Sequence, residues 1–179
     1  KRLNKSTIRN YIGVVFQESF IFSDTIKNNI DVLEKYKDLE EIKNITKICE
    51  IDNEILQFPN KYNEILGERG INLSGGQKQR ISIARTLLQN KSVIIFDDVL
   101  SKIDNITKDK IKNNLKQYNK DMISIYITQD LSKIPNEETV FFIDNRKIII
   151  DKQENLINKN ENYYRLIEIC KDIVGEINE

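Results

Sequence analysis

Leu73-Ser74-Gly75-Gly76-Gln77-Lys78-Gln79-Arg80 opens the segment LSGGQKQRISIARTLLQN, which runs on into Val93-Ile94-Ile95-Phe96-Asp97-Asp98. The first half reads as a helix. Ser74 can cap its start, and Ile81, Ala84 and Leu88 recur at the spacing of one buried face. The second half is an apolar, β-branched run that ends in two carboxylates, which reads as a buried strand leaving a sheet. A helix start offers N–H groups to an anion, and a strand that ends in carboxylates offers them to a cation. Their succession therefore decides how the rest of the chain is read.

Upstream, Ile12-Gly13-Val14-Val15-Phe16 is a second short apolar run ending at Gln17, again a strand. From about Ser23 to Asn63 the pattern turns helical. Thr25–Ile30 is short, Leu39–Cys49 carries Leu39, Ile42, Ile45 and Ile48 or Cys49 on one face, and Asn53–Phe58 stops before Pro59. Gly67-Glu68-Arg69-Gly70 reads as a loop. Downstream come a helix over Asn105–Tyr118 with Ile111, Leu115 and Tyr118 on one face, a strand over Met122–Ile127, and a hairpin of Thr139–Ile143 with Lys147–Ile150. A last helix over Tyr163–Val174 aligns Tyr163, Ile167, Cys170 and Val174. Alternating apolar strands and amphipathic helices predict an α/β fold with a mostly parallel sheet covered on both faces. Residues 1–21 and 91–179 are expected to form the core and residues 22–90 a helical subdomain.

At 179 residues the chain is one domain's worth, long enough to bury roughly 70% of its unfolded surface. Its 28 basic and 28 acidic side chains cancel, so no net field draws it to nucleic acid or to a membrane surface. No apolar run approaches the ~20 residues that span a bilayer, and no signal-type stretch follows the basic N-terminus. Cys49 and Cys170 suit a reducing compartment and structural roles. These features predict a cytosolic globular domain. The chain starts at Lys1 and reads as the middle of a longer protein.

A helix N-terminus exposes unpaired N–H groups and partial positive charge, so it holds phosphate where nothing bulky intervenes. Ser74 adds a hydroxyl, and Gly75 and Gly76 let a phosphate come close to the backbone. Taken alone, a Ser-capped helix with two glycines is as easily structural. A lone Asp-Asp after a strand is more often a polar turn. Together, a small-residue helix start and a strand delivering Asp97 and Asp98 to the carboxyl edge of a parallel sheet are what nucleotide phosphates and magnesium require.

These residues resemble the nucleotide-binding domain of an ABC transporter, specifically of the exporter type. LSGGQ is similar to the family's signature motif, Val93–Asp97 to its Walker B strand, Gln17 in VVFQES to its Q-loop glutamine, and Ser101-Lys102-Ile103-Asp104 to its D-loop, normally SALD. Gly67-Glu68-Arg69-Gly70 resembles the segment that touches the transmembrane part in exporters, and FIFSDTIKNNI resembles the stretch after the Q-loop. The resemblance covers nearly the whole chain and implies a P-loop NTPase-like core.

It departs from the family in three places. No G-x-x-x-x-G-K-[ST] occurs, so the Walker A strand and helix are expected to lie upstream of a truncated N-terminus, and this chain by itself is expected to bind ATP poorly. Asp98 stands where the family has its catalytic glutamate. It is one methylene shorter, and a misplacement of about 1 Å can cost about 10²-fold in rate. Gln129, in Ile127-Thr128-Gln129-Asp130, stands where the switch histidine is expected. It can hydrogen-bond a phosphate oxygen but cannot relay a proton, and the chain contains no histidine.

The resemblance implies two such domains facing head to tail, each ATP sandwiched between them. Asp97 and Gln17 would hold Mg2+, and Asp98, Gln129 and Gln17 would act on this chain's own ATP. Ser74, Gly75, Gly76, Gln77 and Asp104 would help bind nucleotide, the signature residues acting on the partner's ATP. An intact signature beside an altered Walker B side implies the degenerate half of a heterodimeric exporter, at the cytoplasmic face of the cell membrane and docked on transmembrane coupling helices. The alternatives are a slow homodimeric exporter, a non-hydrolysing regulatory module, and a DNA-repair or chromosome-maintenance ATPase. Too few residues separate Gln17 from Ser74 to hold the long coiled coils of that last class, and no nucleic-acid partner is expected.

Overall fold

The structure is a computed structural model that describes residues 4–33, 38–131 and 134–177, with side chains up to residue 171. It divides into two compact units, Lys1–Ile127 and Thr128–Glu179. The first begins with α1 (Lys5–Tyr11) and β1 (Ile12–Val15). Helices α2 (Ile26–Ile30), α3 (Leu39–Ile48) and α4 (Asp52–Ile55) follow, and 3-10 turns occupy Lys61–Asn63 and Glu68–Gly70. Then come α5 (Gly75–Leu87), β2 (Val93–Asp97), α6 (Asn105–Tyr118) and β3 (Ile123–Ile127). The three strands form a parallel sheet in the order β1-β2-β3, with Val15 beside Phe96 and Asp97 beside Ile127.

Helix α5 is the centre of this unit. Ile81, Ile83, Ala84, Leu87 and Leu88 are all buried, together with Gln79, Arg80, Ser82 and Thr86. A helix apolar on one stripe lies on a surface, whereas one buried nearly all round is enclosed. Here α5 is enclosed by α2, α3 and β1. β1 approaches it closely at Gly13, where a Cβ would meet the Thr86 methyl at 2.7 Å. Every methylene in so dense a core has a neighbour, so Ile26, Ile42, Ile55 and Leu66 lock the helical part in place.

The sheet corrects one expectation. Gly13, Val15, Ile94 and Phe96 point into the core, but Val14, Ile123, Ile125 and Ile127 are exposed. The β-branched runs have the composition of strands buried on two faces, yet the described elements cover only one. Tyr118, expected on the buried face of α6, is 37% exposed, while Ile111 and Leu115 are buried.

The second unit is a hairpin of β4 (Thr139–Asp144) and β5 (Lys147–Lys152) with α7 (Gln153–Lys159) and α8 (Glu161–Ile177). Asn145 and Arg146 both take positive φ, as a two-residue hairpin turn of matching twist demands. Val140, Phe142 and Ile149 pack on Leu156, Tyr163 and Ile167. Tyr163, fully buried, donates its hydroxyl hydrogen to Gln153. The Val174 end of the expected stripe lies outside the described side chains. No described helix is long and apolar enough to cross a membrane.

Candidate functional site

Strand β1 ends at Val15 and hands Gln17 to the carboxyl edge of the sheet, while β2 ends on Asp97 and hands over Asp98. The Gln17 side-chain Nε2 donates to Asp98 Oδ2 at 3.2 Å. Two residues 81 apart in sequence are thus brought into direct contact. Asp98 takes a φ of 48°, the left-handed region that aspartate tolerates better than most side chains. Its N–H donates to the Ile127 carbonyl at 3.0 Å, and its own carbonyl accepts from the Ser101 hydroxyl at 2.8 Å. The carboxylate is therefore carried on a backbone pinned to β3 on one side and to Ser101 on the other. Behind Gln17, the buried Gln79 of α5 donates to its backbone carbonyl at 3.4 Å, while Gln79 Oε1 is buried with no hydrogen-bond partner.

The start of α5 is a full capping box. Ser74 Oγ accepts from the Gln77 N–H at 3.2 Å, and Gln77 Oε1 accepts from the Ser74 N–H at 2.8 Å. Ser74 and Gly75 are exposed. A Cβ on Gly76 would sit 3.2 Å from the Lys102 carbonyl, so glycine there lets the helix start lie against the Ser101–Asp104 turn. At Gly75 a Cβ would make only ordinary contact with Lys102, so packing within the chain does not by itself require glycine. Asp104 caps α6 by accepting from the Thr107 N–H at 2.9 Å. Hydrogen bonds from the Thr107 backbone and side chain hold the Asp104 carboxyl below the usual aspartate range.

Arg80 ties this helix start to α4. Its guanidinium meets the Glu54 carboxylate side-on, Nη1 to Oε1 at 2.6 Å and Nη2 to Oε2 at 3.0 Å. It also donates to the carbonyls of Gly76 and Glu50, at 3.3 and 2.5 Å. Gln77 Nε2 donates to Glu54 Oε2 at 2.8 Å. Burial pushes the Glu54 carboxyl up, but the bonds from Arg80 and Gln77 outweigh it and leave it below the usual range. Both ends of the Gln77 amide are thus engaged inside the chain.

Further along α5, Arg85 donates to the carbonyls of Asn29 and Phe20 at 2.7 and 2.9 Å and lies 5.4 Å from the centre of the Phe22 ring. Asn29 is fully buried and donates in turn to the carbonyls of Phe22, Asp24 and Thr25. This grip shapes the segment after Gln17 and leaves Phe20 and Phe22 exposed in an edge-to-face pair. Gly70 takes a φ of 64°, and its missing side chain leaves room for Ile21. Gln129 lies in the second unit, where its carbonyl accepts from Cys170 Sγ at 3.4 Å. Cys49 is fully buried and its thiol is pushed far up by burial, as an inert core residue requires.

Sequence reasoning missed Glu54, Asn29 and the Arg80 junction. Glu54 sits in an unremarkable DNEI turn, and nothing local marks it. A basic residue placed one helical turn beyond paired glycines was the available signal for Arg80.

Among the described residues no group of three or more His, Cys, Asp or Glu side chains is arranged to hold a metal ion on its own. Mg2+ in phosphate sites takes one or two carboxylates and completes its shell with phosphate oxygens and water. Asp97 and the Gln17 amide oxygen are oxygen donors of that kind, so the residues present fit a magnesium ion that arrives with phosphate.

A family model described as ABC transporter matches residues 1–101. The chain is 42% identical over 158 residues to the multidrug resistance-like ATP-binding protein MdlA of Buchnera aphidicola subsp. Baizongia pistaciae, covering 87% of this chain and 27% of that protein. It is 37% identical over 166 residues to the heavy metal tolerance protein of Schizosaccharomyces pombe, covering 92% of this chain and 20% of that protein. Among solved structures it matches a bacterial Atm1-family ABC exporter with ATP bound, with a TM-score of 0.85 and 30% identity over 92% of this chain and 29% of that one. The chain spans under a third of the length of these relatives. With the family's motifs in order and its fold in place, the chain belongs to the ABC transporter family, as an ATP-binding domain of the exporter type.

Proposed function

We propose that this chain is the ATP-binding part of an ABC exporter, held at the cytoplasmic face of a membrane, and that it forms the slower half of a heterodimer. The observation that carries the reading is the Gln17–Asp98 hydrogen bond. It joins the Q-loop and catalytic-acid positions at the carboxyl ends of two parallel strands, where open α/β sheets bind ligands. Residues 22–90 then serve as the helical lobe presenting the signature, and residues 1–21 with 91–179 as the core.

In this reading Asp97 and Gln17 hold the magnesium ion, which when bound neutralises charge on the phosphates. Asp98 takes a proton from, or orients, the attacking water, with its carboxylate restrained by Gln17. Gln129 offers an amide to a phosphate oxygen. Aspartate's short reach and the lack of a proton-relaying imidazole make this site slow. Ser74 and the first N–H groups of α5 face a second nucleotide-binding domain and grip its ATP, and Asp104 holds the neighbouring turn. The exposed Phe20, Phe22 and Ile71 supply an apolar surface for the transmembrane part.

The test is ATP turnover by the intact transporter with its partner. Asp98→Ala is expected to lower turnover far less than removal of the partner's catalytic acid. Equal losses would overturn the slow-site assignment and favour a homodimer.

A further inference from the structure

Helix α4 is four residues long and has no side-chain cap, which by itself makes a poor platform. It is nevertheless anchored. Asp52, on its first turn, accepts from the buried Tyr62 hydroxyl at 2.5 Å, and Tyr62 in turn lies 2.5 Å from the Thr46 hydroxyl of α3. Glu54 therefore projects from a turn clamped to the core. Its carboxylate receives two bonds from Arg80 and one from Gln77, and Arg80 also holds the Gly76 carbonyl. Gly76, Gln77 and Arg80 all lie in the first two turns of α5. A side-on Arg–carboxylate pair fixes direction as well as distance. Arg80's charge also reaches Asp104, where it helps hold that carboxyl down.

We propose that Glu54 is a positioning residue for the nucleotide clamp: through Gln77 and Arg80 it sets the direction in which Ser74 and the first N–H groups of α5 point. Phosphate binding at a helix start depends on aim, because a shift of about 1 Å is enough to lose most of the gain. The proposal rests on the reading of residues 74–77 as a clamp on the partner's ATP.

The experiment measures KM for ATP, kcat and thermal midpoint of the intact transporter carrying Glu54→Gln, Gln77→Ala, or both. Glutamine keeps the shape of Glu54 but has no charge and one acceptor oxygen, so it cannot take the side-on pair from Arg80 and the Gln77 bond together. Glu54→Gln is expected to raise KM about tenfold, the size of one lost charged hydrogen bond, and to add less than its full effect once Gln77 is alanine, because the Gln77 route is then already lost while the Arg80 route remains. A purely structural ion pair would instead lower the thermal midpoint without moving KM, and independent effects would multiply in the double variant. Either result overturns the proposal. The paired variant Glu54→Gln/Arg80→Met leaves no uncompensated buried charge. It also loses the Arg80 bonds to the Gly76 and Glu50 carbonyls, so KM should rise at least as far as in Glu54→Gln, and an unchanged KM would overturn the proposal. Ser74→Ala separates the two levels. If it raises KM while the Glu54 variants do not, the clamp stands and Glu54's role falls. If both are silent, the clamp reading falls as well.

Discussion

Asp98 combines a short carboxylate with a left-handed backbone, and the two features pull in opposite directions for engineering. Extending the side chain by one methylene brings the carboxylate toward the water it must orient, but glutamate tolerates that φ less well than aspartate. Asp98→Glu is therefore expected to raise hydrolysis at this chain's own site by as much as 10²-fold, at a cost of about 1 kcal/mol in stability. Single-site turnover with the partner's acid removed measures the first, and urea unfolding the second. Glu54 gives a pH dependence. Its folded carboxyl titrates below the usual range because bonds from Arg80 and Gln77 outweigh burial. Its contribution to stability is then complete above the pKa of an unfolded glutamate and is lost as pH falls through the lower folded value. The urea midpoint should drop on acidification below the usual glutamate range, and Glu54→Gln should flatten that decline.

Among the elements, α5 is held at its start by a capping box and along its length by packing against α2, α3 and β1. Its capping box contributes about 1 kcal/mol, so Ser74→Ala should lower the unfolding free energy measured in urea by that amount. Its contact with β1 is tight enough to test sterically. Gly13→Ala drives a Cβ into the Thr86 methyl and should cost about 1–3 kcal/mol. Adding Thr86→Ser removes that methyl while keeping the hydroxyl that donates to the Ser82 carbonyl, and should restore most of the loss. α5, β2 and the hairpin were legible in the sequence because cap, apolar period and turn residues agree there. Helix α1 was not legible, because KSTIRNY buries no residue and shows no apolar face. Helix α7 is a seven-residue helix with no side-chain cap, so it too lacked a signal. The expected helix over Asn53–Phe58 shrank to Asp52–Ile55, because the N–H groups of Gln57 and Phe58 bond the Glu54 and Ile55 carbonyls three residues back rather than four. The candidate site was legible wherever motif residues adjoin strand ends. The Glu54–Arg80–Gln77 junction was not, since it forms between segments more than twenty residues apart.

At the scale of the whole molecule, each unit leaves apolar strand surface open. Ile123, Ile125 and Ile127 of β3 are 44–59% exposed, and no described strand pairs with the outer edge of β3. On the hairpin, Phe141 faces Ile150 and Ile143 faces Ile148 across the strands, all four exposed. An open edge with apolar side chains recruits other chains. The 179-residue chain should self-associate with rising concentration in light scattering, and Ile123→Thr with Ile125→Thr should reduce it. Within a larger assembly the motif of residues 74–77 is proposed to grip the partner's ATP. The most direct measurement is nucleotide trapping scored separately on the two subunits of the intact transporter carrying Ser74→Ala. Loss of trapping at the partner's site, with this chain's own site retained, is the predicted result. Loss confined to this chain's own site would contradict it.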